Sequence, residues 1–213
     1  MQLSRLLLLI ALSFTGLSWF SQNKVWKKEK KLQGSTIKTD NTLPVISMKK
    51  LEQKASAANL FVRKKGFNDQ FCFLLDMGLP SGQNRFFIYD FKKDTLQMAG
   101  LVAHGNCFEY WLEGRRYSNV VGSGCTSLGK YKIGNSYTGK FGYSYKLHGL
   151  DSSNSNAFER TVVLHSHRCI PEAEVTDEIC QSNGCPTVSP NLLVQLKKII
   201  DNSKKPVLLW AYN

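Results

Sequence analysis

Apolar residues recur at helical spacing over 46–65. Met48, Leu51, Ala55, Ala58, Leu60 and Val62 stand among lysines, a pattern that predicts an amphipathic helix ended by Gly66. Phe71–Met77 is a continuous apolar and aromatic run and reads as a strand. Arg85–Phe91 and Leu96–Ala103 are joined by the polar turn Lys92-Lys93-Asp94-Thr95, which predicts a hairpin. Glycine and serine crowd the stretch from Asn106 to Asn135, where turns are expected. Tyr143–Leu147 alternates and Thr161–Leu164 is β-branched, so both read as strands. Ser189-Pro190 marks a helix start, with serine as N-cap and proline in the first turn. Leu192, Leu193, Leu196, Ile199 and Ile200 follow at helical spacing. Pro206–Tyr212 is a terminal strand, and no internal repeat is visible. The chain is therefore mainly β with a few helices, an architecture in which functional residues sit on loops at strand ends.

Composition supports one domain with appendages: 213 residues, of which 42% are hydrophobic, suffice for a sizeable core. Residues 1–20 read as a signal peptide or N-terminal anchor. Arg5 opens the segment, Leu6–Ile10, Ala11, Leu12 and Phe14 form its apolar centre, and Gly16-Leu17-Ser18 offers small residues for cleavage. Residues 21–45 read as a basic linker, and 46–213 as the folded domain. Charge divides later, at the end of the first predicted helix. Residues 1–65 hold 13 Lys and Arg against 3 Asp and Glu, or +10; the remaining 15 and 13 leave +2 for residues 66–213. The near neutrality of residues 66–213 does not suggest a nucleic-acid face there. The basic N-terminal part suits contact with an anionic membrane surface or an acidic wall polymer.

The chemistry concentrates in Thr161–Pro190. A short β-type run delivers His165, and Cys185 follows twenty positions later, after Ser182-Asn183-Gly184 and before Pro186. A thiol attacks as its thiolate and needs a proton acceptor within hydrogen-bond reach. Gly184 leaves room beside the sulfur for a carbonyl substrate. Other readings compete. His167 lies two positions after His165 and is the alternative base. His165, His167, Cys169, Cys180 and Cys185 are also zinc-ligand types, although their spacing lacks a C-x2-C knuckle.

The stretch from about Phe71 to Tyr212 resembles the catalytic domain of L,D-transpeptidases, bacterial cysteine enzymes that cross-link peptidoglycan. It is most similar to the Ser-x-Gly-Cys-Pro branch common in Gram-negative bacteria. The matching segments run in order: Val102-Ala103-His104-Gly105, Tyr117-Ser118-Asn119, Ser127-Leu128-Gly129, Tyr137-Thr138-Gly139, Gly142-Tyr143-Ser144, Leu147-His148-Gly149-Leu150, Asn156-Ala157, Arg160, His165 and Ser182–Pro186. The resemblance implies a β-sandwich or barrel catalytic fold. It implies Cys185 as nucleophile, His165 as general base, Ser166 as the residue that orients the imidazole, and Gly184 with Cys185 as backbone donors to an oxyanion. Substrate contacts are expected from His104, Ser127, Arg160, Ser182 and Asn183. A structural role is the alternative for His104, and a turn role for Ser127. The partners implied are peptidoglycan stem peptides, a donor tetrapeptide and an acceptor amine, without cofactor or metal. The chain departs from many members in having Asn183 where they have histidine, and Pro186 where they have arginine. The substrate carboxylate is then left to Arg160 or Arg168. Water as acceptor would make the protein an L,D-carboxypeptidase, a protein lysine would make it an attachment enzyme, and an idle wall-binding module is the non-enzymatic reading.

Export to the periplasm or cell envelope would permit disulfides. Of the six cysteines, Cys169 and Cys180 bracket an acidic loop between base and nucleophile and form the first expected pair. Cys107 and Cys125 form the second. Cys72, in an apolar strand, is then a buried free thiol, and Cys185 must stay unpaired.

Overall fold

The structure is a computed structural model that describes residues 45–213. The export segment 1–20 and the linker up to residue 44 lie outside the described residues, and the linker's last residue, Val45, opens the first helix.

Helix α1 (Val45–Lys65) comes first and ends at Gly66, whose φ of +71° suits glycine. Nine strands follow: β1 (Phe71–Asp76), β2 (Phe86–Asp90), β3 (Thr95–Gly100), β4 (Val102–Ala103), β5 (Gly129–Gly139), β6 (Gly142–Gly149), β7 (Val163–Ser166), β8 (Thr187–Val188) and β9 (Leu208–Tyr212). A 3-10 turn spans Ser152–Asn154, and helix α2 spans Pro190–Asp201. The strands form one sheet in the order β3-β2-β1-β9-β5-β6-β7-β8-β4. β3 and β4 are its two edges, yet only Leu101 separates them in the chain. Two residue steps reach at most about 7 Å, so the sheet must curl until its edges meet, as a nearly closed barrel. The run Leu96–Ala103, expected as one strand, is thus two strands on opposite edges.

The seam is closed by a cation. Arg85 is 0% exposed. Its Nε and Nη2 donate to the Val102 carbonyl, Nη1 donates to the Leu79 carbonyl, and its backbone N–H donates to Gly100. Burial lowers its pKa to about 10, which leaves it charged at neutral pH and explains why it takes every acceptor in reach.

Alternation along β1 builds two cores. Phe73 and Leu75 join Phe86, Ile88, Tyr131, Leu147, Leu209 and the α2 leucines Leu192, Leu193 and Leu196 on the concave side. Cys72 and Leu74 join Phe87, Tyr89 and Leu208 on the other side, under Leu51, Ala55, Ala58 and Val62 of α1. A strand buried on both faces reads as an unbroken apolar run, which is the pattern of Phe71–Met77. No helix among the described residues is long and apolar enough to cross a membrane.

The glycine- and serine-rich stretch holds more than turns. β5 begins at Gly129 and pairs with both β6 and β9. β8 is two residues between prolines, too short for any periodicity to show.

Candidate active site

The site lies where β7 and β8 pair in parallel, His165 opposite Thr187 and Ser166 opposite Val188. Side chains alternate across a strand. Leu164 and Val188 enter the concave core, so Val163, His165 and Thr187 point to the other face. Cys185 stands two residues before Thr187 and thus on the same side, level with Val163. The parallel register, rather than proximity in sequence, brings Cys185 and His165 to the same end of this strand pair.

His165 is 4% exposed. Its Nδ1 lies 3.1 Å from the Ser166 carbonyl. A carbonyl only accepts, so Nδ1 carries the proton and Nε2 holds a lone pair. The Thr187 hydroxyl lies 3.0 Å from Nε2 and donates to it. It has a second acceptor, the Cys185 carbonyl, at 3.3 Å. Phe141, from the turn between β5 and β6, stacks on the imidazole with ring centroids 4.4 Å apart. Burial pushes the His165 pKa below its ordinary value, His167 adds to the fall, and the Ser166 carbonyl opposes it.

Cys185 is a free, half-buried thiol. Burial raises its pKa, against the opposing effects of the Val163 backbone and the Arg160 charge. No hydrogen bond joins Cys185 to His165 among the described residues. Burial thus disfavours the charged form of each, the thiolate and the imidazolium. Ser182 braces the loop that carries Cys185: its hydroxyl donates to the Cys185 carbonyl at 2.7 Å and receives the Gly184 N–H at 3.2 Å. The Gly184 N–H is thus already engaged, which leaves the Cys185 N–H as the backbone donor beside the sulfur. Gly184 has φ +103°, and a Cβ there would lie 2.7 Å from the Cys125 carbonyl oxygen. Gly105 packs against the same point, since its Cβ would fall 2.7 Å from the Gly184 Cα. Here glycine is required twice, by backbones in contact.

The other expected contacts separate into buried and exposed groups. His104 is 1% exposed, and its Nδ1 accepts from Arg85 Nη2 at 3.0 Å. Burial and the charges of Arg85 and Arg115 bring its pKa down to about 4. Ser127 is 1% exposed and shares a 2.7 Å hydrogen bond with the Tyr131 hydroxyl. Both are braces beneath the site, out of reach of a ligand in this conformation. Arg160 stands close enough to influence Cys185, but its guanidinium is committed to the Ser118 and Cys125 carbonyls and the Ser123 hydroxyl. Asn183 is exposed on the loop before Cys185. His167 lies beyond the end of β7, exposed, its Nδ1 2.9 Å from Cys169 Sγ.

Cys169–Cys180 and Cys107–Cys125 are disulfides, and Cys72 is a buried free thiol. His167 lies within 4.8 Å of the Cys169 and Cys180 sulfurs, but those sulfurs are bonded to each other, which removes two thiolates from the zinc reading. Thr187 and Phe141 are the functional contacts that the sequence did not reveal. Thr187 carries no motif signal of its own, and Phe141 reaches His165 only through the β5–β6 turn.

A family profile for the L,D-transpeptidase catalytic domain matches residues 43–212. The chain belongs to that family. Among solved structures it is similar to an L,D-transpeptidase from Mycobacterium smegmatis (9% identity, 68% of this chain and 59% of that one, TM-score 0.40). It is also similar to the helical cell shape determining protein Pgp2 from Campylobacter jejuni (12% identity, 68% and 47%, TM-score 0.43). A third is an L,D-transpeptidase from Xylanimonas cellulosilytica (13% identity, 72% and 68%, TM-score 0.36). The match spans about three-fifths of the first of these structures. Among curated protein sequences none matches.

Proposed function

We propose that the protein forms L,D cross-links in peptidoglycan by acyl transfer through a Cys185 thioester. The observation that carries this reading is the pairing of β7 with β8, which turns the Nε2 lone pair of His165 toward Thr187, two residues after Cys185. Rotation of the Thr187 hydroxyl onto the Cys185 carbonyl frees that lone pair. His165 Nε2 then takes the thiol proton as sulfur attacks the carbonyl of the penultimate stem residue, meso-diaminopimelate in a Gram-negative wall. The Cys185 N–H faces the developing oxyanion. The bond to the terminal D-Ala breaks, and His165 returns the proton to the departing amine. In the second half-reaction an acceptor amine attacks the thioester, His165 takes its proton, and the cysteine leaves. Each step balances without metal or organic cofactor.

Two neutral partners suit this sequence, because the proton moves during attack rather than before it. The disulfides and the N-terminal export segment support a periplasmic or envelope location, where the basic N-terminal segment can touch the membrane surface.

The test is incubation with tetrapeptide-bearing muropeptides, read by intact mass and product mass. The expected result is a donor adduct on Cys185 and a cross-linked product, both lost in Cys185→Ala, with His165→Ala nearly as damaging and His167→Ala mild. Hydrolysed tripeptide without cross-link would assign the L,D-carboxypeptidase reaction. Binding without any adduct would leave a wall-binding module.

A further inference from the structure

The loop closed by the Cys107–Cys125 disulfide holds aromatic side chains in solvent. Phe108 is 68% exposed, Tyr110 is fully exposed, and Trp111 is exposed as well. Cys107 and Phe108 have φ of +55° and +60°, the left-handed region that few residues other than glycine and asparagine enter without cost. Three contacts hold that conformation. The Phe108 N–H donates to Asn106 Oδ1 at 3.0 Å, and the Cys107 N–H donates to the Gly124 carbonyl at 3.1 Å. Gly124 has φ +64°, and a Cβ there would lie 3.2 Å from the Phe108 ring. The loop is thus built to keep Phe108 in place, although burial gains little from that ring. Both ends of the loop are fastened to the segment that carries Cys185. Gly105 bridges to Ser182, and the Asn106 N–H donates to the Ser182 carbonyl at 2.8 Å. Gly184 packs on Gly124 and Cys125. Between the ends, Leu112 is buried and exchanges two hydrogen bonds with the Gln181 side chain, at 2.9 and 2.8 Å. The loop's charges cancel, Glu109 and Glu113 against Arg115 and Arg116. Arg116 pairs with Glu109, and Arg115 donates to the Met77 carbonyl.

We propose that Phe108, Tyr110 and Trp111 form a stacking platform for the sugar chain to which the donor stem peptide is attached. The inference rests on the acyl-transfer reading above and extends it from the peptide to the glycan. An aromatic face carries negative charge density, and the C–H bonds on the face of a sugar ring present the complementary positive edge. Such contacts need exposed rings, held firmly, with no net charge around them when the sugar is uncharged. The loop has each of these properties. An anionic membrane or polymer would instead select a surplus of cations, which a loop of zero net charge does not supply. The reach also agrees. The reacting carbonyl belongs to the third residue of the stem, so the sugar lies roughly 10 Å away along an extended peptide. Phe108 lies three residues from Gly105, which abuts Gly184, so its Cα is within roughly 11 Å of that contact. A sugar on the platform is therefore about one stem length from the Cys185 loop. The backbone strain then has a physical role: it fixes the ring before the ligand arrives, so that less freedom is lost on binding.

The experiment uses the full chain and three probes: free tetrapeptide, disaccharide-tetrapeptide, and glycan strands stripped of peptide. Acylation of Cys185 is read by intact mass. The native protein should reach half-saturation at a lower concentration of disaccharide-tetrapeptide than of free tetrapeptide. Tyr110→Ala and Trp111→Ala should each raise the former about three- to ten-fold, the scale of one aromatic contact, and leave free tetrapeptide at its native value. Trp111→Phe should recover part of the loss. Phe108→Gly should weaken the preference without lowering the urea midpoint, because glycine enters the left-handed region freely. Equal half-saturation by the two peptides in the native protein, or variants that weaken both alike, overturn the platform. A lower midpoint with unchanged preference in Phe108→Gly removes that ring from it. Stripped glycan separates the platform from the chemistry. Binding of stripped glycan that the Tyr110→Ala, Trp111→Ala double variant loses would retain the platform even if no peptide acylated Cys185. Acyl-enzyme without glycan binding would reject the platform and keep the transfer reaction. Vesicles of phosphatidylcholine and phosphatidylglycerol are the comparison surface: vesicle binding lost in the double variant, with no glycan binding, would give the loop to a membrane and overturn the proposal.

Discussion

Thr187 donates the one hydrogen bond that Nε2 of His165 receives, and it can turn the same proton to the Cys185 carbonyl. Its removal should therefore act on the base rather than on the fold. Thr187→Val keeps the β-branched shape in the strand but loses the hydroxyl, so Nε2 loses its aligned partner and the ring can leave the acceptor orientation. A loss of about ten-fold or more in acylation rate is expected, on the scale of one oriented hydrogen bond. Thr187→Ser should restore most of it. A valine variant with native acylation would remove Thr187 from the mechanism. The protonation states give a second measurement. Burial raises Cys185 and lowers His165, so iodoacetamide alkylation of Cys185 should climb with pH through and beyond the ordinary thiol range of about 8.5. Rapid alkylation that is flat from pH 5 to 7 would mean a thiolate–imidazolium pair at rest. His104 bears on stability instead. Its pKa is near 6.5 in an unfolded chain and about 4 in the fold. Between those values the unfolded chain binds more protons, so stability rises with pH. The contribution, on the order of 3 kcal/mol, is present above pH 6.5 and is lost as pH falls toward 4. Urea midpoints at pH 7 and pH 4.5 should fall further apart for the native protein than for His104→Asn. His165 shifts with the same sign but stays in both proteins, so the difference isolates His104.

At the scale of elements, parallel strands β7 and β8 need a long crossover, usually a helix that covers the sheet. Here the crossover is a loop, and other contacts supply the rigidity. Ile170 and Ile179 bury against Leu101 and Ala103. Asn84 N–H donates to Glu174, and Val175 N–H donates to Gly82. Glu172 receives the hydroxyl of Ser189, the N-cap of α2. The Cys169–Cys180 disulfide closes the loop at its base. Replacing both cysteines by serine should cost about 3 kcal/mol and lower acyl transfer more than binding, since β7 holds His165 and β8 holds its partner Thr187. Denaturant midpoints and acylation rates of the double variant check both parts; native stability with native rates would make the bridge dispensable. The helix start at Ser189-Pro190, the end of α1 at Gly66 and the apolar run of β1 were legible because each is a local signal. β4 was not, because nothing local separates Leu96–Gly100 from Val102-Ala103. The break is imposed by two different partners, β2 for one half and β8 for the other.

At the scale of the molecule, α1 is a wall of the domain, and the family match begins before it, at residue 43. Without α1 the face made by Cys72, Leu74, Phe87, Tyr89 and Leu208 would meet water. A chain beginning at Gly66 should bind hydrophobic dye and lose cooperative unfolding, and Leu51→Ala alone should cost about 3 kcal/mol. A cooperative, dye-negative truncation would mean that the barrel stands alone. The sequence by itself determined the mainly β class, the two helices and the family, because periodicity, caps and ordered motifs are properties of neighbours in the chain; the disulfide pairs it offered as expectations became bonds only in the fold. Cys185 and His165 were also visible there as residue types in a pattern. Only the tertiary structure decided which groups surround them. It buried His104 and Ser127, committed Arg160 to backbone carbonyls, placed Thr187 on Nε2 and Phe141 on the ring, and tied the loop of Phe108, Tyr110 and Trp111 to Ser182. Those outcomes depend on strand register and on the curl that joins β3 to β4, and register is set by pairing between segments far apart in the chain.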